Sequence, residues 1–273
     1  LVPLNYLWQK KMMIKFNLKF FLSILVIILA SLKPSFAEEP TDLLRINWSF
    51  KGLTGKFDRA SLQRGFQIYK EVCSSCHSME YLSYRNLGEP GGPEFSIEEV
   101  KAIAASIEVT DGPDSQGEMF TRPGRPSDRF VSPYPNVNAS MAANGGAYPP
   151  DMSVLVKARP GGANYIYSIL MGYDEVPAGF NLEDGVYYNK YMNGNKIKMS
   201  SPLIDGIVEY SDGSEASVDQ MARDVTTFLS WSAEPELEAR HKLGFKVLVY
   251  LILLTTLVYF SMKRIWSRVD SEI

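Results

Sequence analysis

The chain has 273 residues and a net charge of −3, and 45% of its residues are hydrophobic. This length is sufficient to bury a sizeable core, and two cysteines allow one disulfide at most, which excludes a disulfide-rich scaffold. The charge is unevenly distributed: residues 38–242 contain 29 acidic and 19 basic residues, a net charge of −10, and this sign disfavours nucleic-acid binding.

The N-terminal residues have the pattern of a secretory signal peptide. Met12-Met13 is a candidate start, which places residues 1–11 upstream of it. Two lysines then precede the apolar run 20–30, and Ser35-Phe36-Ala37 fits a small-residue cleavage site. We therefore predict a signal peptide over 1–37 and export of the chain. The alternative is an uncleaved anchor, for which the apolar run is short, since a full span needs about 20 residues.

Both cysteines and one of the two histidines fall within five residues, Cys73-Ser74-Ser75-Cys76-His77. C-x-x-C-H is the attachment signature of a c-type haem: the thiols add to the haem vinyl groups, and the adjacent imidazole becomes the proximal iron ligand. A thioredoxin-like motif needs a βαβ context and no following histidine. A zinc site needs four ligands, and the other histidine, His241, is far along the chain. The motif therefore predicts one covalent haem c, held by Cys73 and Cys76 with His77 on the iron.

Three helices are predicted, so the fold class is mainly α. Asp58 can cap the first helix, which leads to the haem motif, and the capping boxes Ser96-x-x-Glu99 and Ser217-x-x-Gln220 begin the other two. The stretches 122–150 and 172–195, rich in turn residues, are predicted to be long ordered loops that wall a haem crevice. The predicted apolar faces are Leu62, Phe66, Tyr69 and Cys73 in the first helix, Ile97, Val100, Ile103 and Ile107 in the second, and Val218, Met221, Val225, Phe228 and Leu229 in the third.

Acidic residues cluster in the stretch 94–118, where Lys101 is the only basic residue. Two interpretations stay open: a solvated face, or a surface that attracts a basic partner. The carboxylates are Glu94, Glu98, Glu99, Glu108, Asp111, Asp114 and Glu118.

A haem iron bound by one histidine has a sixth coordination position. A methionine thioether there stabilises ferrous iron and raises the reduction potential. Among the 11 methionines, Met199 is the best candidate, because it lies in a loop before Pro202, ahead of the last soluble helix. Met79 is too close to His77 to reach the opposite haem face. Spacing leaves Met119, Met141 and Met192 as further candidates, whereas Met152, Met171 and Met221 are predicted to be helical core residues.

Residues 243–262 form an apolar stretch long enough to span a bilayer, interrupted only by Lys246, whose side chain can snorkel. Basic residues flank both ends, so the positive-inside rule alone does not orient the span. With an exported signal, residues 38–242 are predicted to form a periplasmic domain and 263–273 a cytoplasmic tail. A buried core helix is the alternative.

The chain closely resembles the cytochrome c1 family, the haem c subunits of the ubiquinol–cytochrome c oxidoreductase (bc1) complex. The resemblance covers nearly all of 45–268 and is far more specific than the haem motif alone. It rests on Arg64-Gly65-Phe66-Gln67-Ile68-Tyr69 before Val72–Met79, Asp111-Gly112-Pro113, Gly117–Phe120, Arg122-Pro123-Gly124, Ala143–Ala147, Pro149–Ser153, Ala158-Arg159, Gly161-Gly162, Asp224–Leu229, Trp231 and Ala233–Glu236.

The resemblance implies a class I cytochrome c fold with long loop insertions and one C-terminal transmembrane helix. It implies that Met199 is the distal iron ligand and that Arg159 pairs with a haem propionate, as its bidentate guanidinium would allow. For Arg159 a surface salt bridge is the alternative. The chain departs from some bacterial members in having no cysteine pair beyond the haem motif. Further positions that match the haem pocket are Asn144, Pro150 and Tyr165.

The implied function is transfer of one electron from a Rieske iron–sulfur protein to a cytochrome c acceptor, in a complex with cytochrome b embedded in a lipid bilayer. The predicted location is a bacterial inner membrane with the haem domain in the periplasm, because a mitochondrial presequence would be rich in Arg and Ser. One alternative is a free-standing, membrane-anchored cytochrome c shuttle, which would not need the long family-specific loops. The other is a haem enzyme or gas sensor with an open sixth position.

Overall fold

The computed structural model describes residues 43–271, and the predicted signal peptide over 1–37 lies outside them. The described part is mainly helical, as predicted. Its helices are α1 (Arg59–Glu71), α2 (Ile97–Ala105), α3 (Val137–Ala143), α4 (Ala163–Met171), α5 (Val218–Ala233) and α6 (Leu237–Ser271), with 3-10 turns at Cys73–Ser75, Tyr84–Gly88 and Asn193–Asn195. Two small antiparallel hairpins pair β1 (Glu108–Asp111) with β2 (Phe120–Pro123) and β3 (Tyr187–Tyr188) with β4 (Lys196–Ile197).

Helices α1 and α5 cross in direct backbone contact at Gly65. A Cβ atom at this position would lie 2.2 Å from the Asp224 carbonyl oxygen and 2.7 Å from the Phe228 Cβ atom. The Phe228 ring then packs between Phe66 and Tyr69, with ring centroids 5.7 and 6.0 Å away. Only glycine permits so close an approach, so this residue brings the helix before the haem motif onto the core.

A buried ion pair fixes the same crossing. The Asp224 side chain is fully buried, and its carboxylate accepts from Arg64 Nε at 2.8 Å and from Ser61 Oγ at 2.6 Å. Tyr210 and Gln220 donate to it as well. These hydrogen bonds offset the cost of removing the carboxylate from water, and a charged group is tolerated in a core only when that cost is offset.

The predicted helix starts are confirmed at all three caps. The Asp58 side chain accepts from the Ser61 N–H at 3.1 Å, and the other two predicted caps, Ser96 and Ser217, also accept as expected. In α5 the predicted face of Met221, Val225, Phe228 and Leu229 is buried, whereas Val218 is only partly buried.

Some predictions about these helices are wrong in detail. Ile97 is 69% exposed, because α2 meets the core through Val100 and Ala104 and its first turn projects beyond the core edge. Ile107 packs against the core from beyond the end of α2. Met152 was expected in a helix, but it is buried in an irregular turn.

The two stretches predicted to be loops contain short regular elements. The first, 122–150, includes the end of β2 and the helix α3, whose cap Asn136 accepts from the Ala139 N–H at 2.9 Å. The second, 172–195, includes β3 and a 3-10 turn. These elements are too short for a hydrophobic period to be visible in the sequence.

Helix α6 contains the predicted membrane span and is longer than the bilayer requires. It is the one candidate span among the described residues, and the side chains of its apolar window are not buried in the structure. Its first turn belongs to the globular domain instead: Leu237 and Glu238 are buried, and Arg59 contacts both Glu238 oxygens at 2.9 Å. The chain is membrane-anchored through this helix.

Candidate haem site

The haem motif lies on one tight turn directly after α1. The backbone N–H groups of Cys76 and His77 both donate to the Cys73 carbonyl, at 3.1 and 2.9 Å. The hydroxyls of the two intervening serines donate back to carbonyls near the end of α1, at 2.7 and 2.8 Å. Both thiols are free and half-buried, so the turn presents two thiols and an imidazole as covalent haem attachment requires.

The Cys73 thiol does not have the character of a reactive cysteine. Burial raises the pKa of the Cys73 thiol to about 12, and the neighbouring Cys76 acts in the same direction. Reactive cysteines have lowered pKa values and are thiolates at neutral pH. The Cys73 environment therefore argues against the thioredoxin-like alternative.

The imidazole of His77 is oriented by Pro150. Its Nδ1 atom lies 2.8 Å from the Pro150 carbonyl oxygen, and since a carbonyl only accepts, Nδ1 carries the proton and Nε2 keeps its lone pair. Burial lowers the pKa of His77, while the Pro150 carbonyl and Asp151 act in the opposite direction. The ring is thus neutral at neutral pH and ready to bind iron through Nε2, with the orientation that a proximal ligand needs.

Asp151 anchors the segment that carries the Pro150 carbonyl, a role that the sequence analysis missed. Its carboxylate accepts from Ser78 Oγ and from the backbone N–H groups of Glu80 and Ser153, each at 2.8 Å. Burial acts to raise the pKa of Asp151, but these hydrogen bonds outweigh it and lower the pKa below its ordinary value. An Asp two residues before a Ser is a turn signal in the sequence, but only the fold shows what this turn binds.

The Asn144 and Met199 segments are brought together. Lys198 Nζ donates to the Gly145 carbonyl at 2.7 Å, which joins the neighbours of the two predicted site residues. Asn144 itself ends α3, with Nδ2 donating to the Ser140 carbonyl at 2.7 Å. Met199 is half-buried.

Tyr165 and Arg159 lie on α4 and on the segment that precedes it. The Tyr165 hydroxyl is 3.5 Å from the Met192 sulfur. Arg159 is half-buried and donates to the Ala158 carbonyl at 3.1 Å, and no carboxylate among residues 43–271 forms an ion pair with it. The surface salt bridge that was the alternative for Arg159 is therefore not formed within the described residues.

The candidate methionines differ in how far their side chains are exposed to solvent. Met119 is 61% exposed and Met141 is 37% exposed, so both residues lie at the surface of the domain. Met79 is fully buried in the core. Met192 and Met199 are both half-buried, and Tyr165 contacts the sulfur of the first. This leaves Met199 as the best candidate for the sixth position.

Known proteins match the chain over most of its length. The model of the Cytochrome C1 family matches residues 48–269. A cytochrome b/c1 of Bradyrhizobium diazoefficiens is 48% identical over 88% of this chain, which spans 38% of that longer protein. A mitochondrial cytochrome c1 heme protein of Solanum tuberosum is 49% identical over 82% of this chain and 85% of its own length. The cytochrome c1 of Rhodospirillum rubrum is 46% identical over 85% of this chain and 90% of its own length.

The family model covers the haem motif, α1, α5, most of α6 and both long connecting segments. They agree with the resemblance carried by the motifs and with the mainly helical fold. The chain therefore belongs to the cytochrome c1 family.

Proposed function

We propose that this chain passes single electrons from a Rieske iron–sulfur protein to a cytochrome c acceptor, as the haem-bearing subunit of a bc1 complex. Membership of the cytochrome c1 family makes it a haem protein of electron transport. The observation that carries the proposal is the His77 environment: a neutral imidazole on the C-x-x-C-H turn, whose Nδ1 atom is held by the Pro150 carbonyl so that Nε2 keeps its lone pair for iron.

The side chains of this turn fit a covalently attached haem c. Cys73 and Cys76 would hold it through thioether bonds, and His77 would be the proximal ligand. When bound, the haem supplies a one-electron ferric/ferrous couple. The residues of the chain would bind it and orient the imidazole.

We propose Met199 as the distal ligand, because it is half-buried and no hydrogen-bonding group of the described residues contacts its sulfur, whereas the Tyr165 hydroxyl contacts the Met192 sulfur. A thioether stabilises ferrous iron, so it would raise the potential into the range that a cytochrome c acceptor needs. The open sixth position of a gas sensor or haem enzyme is disfavoured by the same residue.

We propose that Arg159 holds a haem propionate. The guanidinium is always charged, and its planar fork binds a carboxylate bidentately. No protein carboxylate among the described residues neutralises it, and the matched position in the family supports the role. Asn144, Pro150 and Tyr165 would line the same pocket; of these, Pro150 has a defined task in orienting His77.

The proposed location is a bacterial inner membrane, with the haem domain in the periplasm and cytochrome b beside α6. The Lys-flanked apolar pattern of 1–37 supports export of the domain. Relatives occur in both bacteria and mitochondria, so the choice rests on this N-terminal pattern.

Isolation of the intact complex tests the function. Membranes are solubilised in mild detergent, and the tagged chain is isolated and assayed for co-purified cytochrome b and Rieske protein. We expect both, and reduction of the haem by ubiquinol that stops when the Rieske protein is removed. A haem-loaded chain that purifies without them would support the membrane-anchored shuttle instead.

Extraction tests the cofactor separately. Acid–acetone treatment of the denatured chain should leave the haem on the polypeptide, because thioether bonds survive unfolding. Release of free haem would contradict the roles of Cys73 and Cys76 whatever the partners prove to be.

A further inference from the structure

The backbone of the segment that carries Met199 is tied to the rest of the domain by two side chains. The Tyr173 hydroxyl donates to the carbonyl of Met199 itself, at 3.0 Å. Lys198 donates to the Gly145 carbonyl at 2.7 Å. The first contact acts on the proposed distal ligand directly, whereas the second acts on its neighbour.

Tyr173 is itself rigidly held at the end of α4. It forms an isolated antiparallel bridge with Asn189, whose side chain is fully buried and donates to the Ile169 carbonyl at 2.7 Å. The preceding residue, Gly172, is packed so tightly that a Cβ atom would lie 2.5 Å from Asn189 Oδ1 and 2.7 Å from Tyr191 Cδ2. The backbone that carries the Tyr173 side chain is therefore held in place on both sides.

The two ties differ in strength. Tyr173 is half-buried and has two rotatable side-chain bonds before the ring is placed, whereas Lys198 is exposed on a long flexible stem. Ordering a long lysine side chain costs conformational entropy, and an exposed contact recovers little of that cost. The tyrosine contact is the stronger constraint.

We propose that Tyr173 is a positioning residue that keeps the Met199 thioether on the haem iron. This inference rests on the proposed function, which assigns Met199 as the distal ligand. A neutral thioether is held to iron partly by the restraint of its own backbone segment. Without the hydroxyl, the segment between Lys198 and Pro202 gains freedom and the ligand leaves more often.

The rate of carbon monoxide binding to the ferrous haem measures how fast the Met199 thioether leaves the iron. At saturating carbon monoxide the binding rate equals the rate at which the thioether leaves the iron. We compare Tyr173→Phe with Tyr187→Phe, which removes a more exposed hydroxyl from strand β3, in the full-length, membrane-embedded chain. Loss of one partly buried hydrogen bond predicts a rate about two- to twelvefold higher for Tyr173→Phe.

The controls separate this proposal from the assignment of the ligand. Tyr187→Phe should retain the wild-type rate, Lys198→Gln should increase it less than Tyr173→Phe does, and covalent haem content should be equal in all variants. A wild-type rate in Tyr173→Phe, or an equal increase in Tyr187→Phe, would overturn the positioning role.

Met199→Leu supplies the reference. It should lack the methionine–iron charge-transfer band of the ferric protein and bind carbon monoxide without a release step. If it retains the band and the slow step, the assignment of Met199 fails, and the positioning role fails with it. If Met199→Leu behaves as expected and Tyr173→Phe matches the wild type, only the positioning role fails.

Discussion

At the residue scale, the Pro150 carbonyl determines which ring nitrogen of His77 is able to bind iron. Because the Pro150 oxygen accepts from Nδ1, the nitrogen that faces away is the one able to bind iron. Proline has no N–H with which to anchor its own segment, and its φ angle is fixed. Its carbonyl belongs to the peptide group shared with Asp151, so the position of the carbonyl depends on how Asp151 is held. Asp151 provides that support through its three hydrogen bonds.

Asp151→Asn tests this support and its pH dependence. The amide can accept some of the hydrogen bonds but presents N–H to another donor, so we expect about 1–2 kcal/mol of destabilisation at pH 7 for this half-buried group. The folded-state pKa of Asp151 is lowered, so its contribution is present above the unfolded value of about 3.9 and is lost as the pH falls below it through the folded value.

Denaturant unfolding at pH 7 and through the acid range measures both effects. The difference in the free energy of unfolding between wild type and Asp151→Asn should shrink in acid. A difference that is constant with pH would mean that the Asp151 charge is not what supports the turn.

Arg159→Lys tests the proposed propionate contact, also at this scale. Lysine retains the charge but not the bidentate fork. We expect a lower midpoint potential or a reduced yield of haem-loaded domain, measured by redox titration and by haem content per polypeptide. Arg129→Lys is the control, since Arg129 donates to the Glu80 carbonyl on the exposed surface. Equal potential and yield in Arg159→Lys and wild type would remove Arg159 from the site.

At the element scale, the α1–α5 crossing depends on Gly65. In Gly65→Ala the new methyl group would clash with the Asp224 carbonyl, which is backbone and cannot move without a shift of α5. Overpacking of this kind costs about 1–3 kcal/mol, which lowers Tm by about 2–12 °C for a domain of this size.

Thermal unfolding of the haem-loaded protein measures the effect. Gly244→Ala is the matched control, because this glycine is also helical and a Cβ atom there meets nothing within 4 Å. A Tm for Gly65→Ala within a degree of both wild type and control would show that the helices tolerate the methyl group.

The first turn of α6 is the second feature at the element scale. Glu238 accepts from Arg59 and from the Phe57 N–H, so the membrane helix begins inside the globular domain. We expect truncation after Lys242 to release a haem-bearing domain from the membrane with nearly full stability.

Truncation after Ala233 should also release it, but with a Tm lower by about 2–12 °C, because Arg59 loses its main partner at a cost of about 1–3 kcal/mol. Equal Tm values for the two truncated domains would mean that Glu238 contributes nothing to the domain. Retention of the longer domain by membranes after a high-salt wash would indicate a second membrane contact.

At the scale of the whole molecule, several carboxylates of the acidic stretch 94–118 already form contacts within the chain. Glu94 pairs with Arg59 and Asp111 with Arg122, while Glu99 caps α2 and Asp114 accepts backbone N–H groups in its own turn. The exposed carboxylates that remain for a partner are Glu98, Glu108 and Glu118.

Their joint replacement by glutamine tests whether this face attracts a basic acceptor. We expect slower reduction of a basic cytochrome c at low salt, with the difference shrinking as the Debye length falls below about 10 Å above 0.1 M salt. Stopped-flow measurements across a salt series provide the rates. The control replaces three exposed glutamates elsewhere, Glu209, Glu215 and Glu236. Equal rates in both triple variants would leave the stretch as a solvated face.

The sequence by itself determined the features that are encoded locally. The haem motif needs five consecutive residues, the caps Asp58, Ser96 and Ser217 act within one turn, and the membrane span is one continuous apolar run. Each is visible because its physical cause acts within a few residues. The predictions that failed, such as a core position for Ile97, concern where an element ends relative to the core, which no local pattern contains.

The tertiary structure alone decided which distant groups meet. Pro150 reaches His77 across 73 residues, Glu238 reaches Arg59 across 179, and Tyr173 reaches Met199 across 26. Such contacts arise from the packing of whole helices and have no period or spacing of their own in the chain. The haem c motif was therefore readable from the sequence, whereas the contacts of Pro150 with His77 and of Tyr173 with Met199 became visible only in the fold.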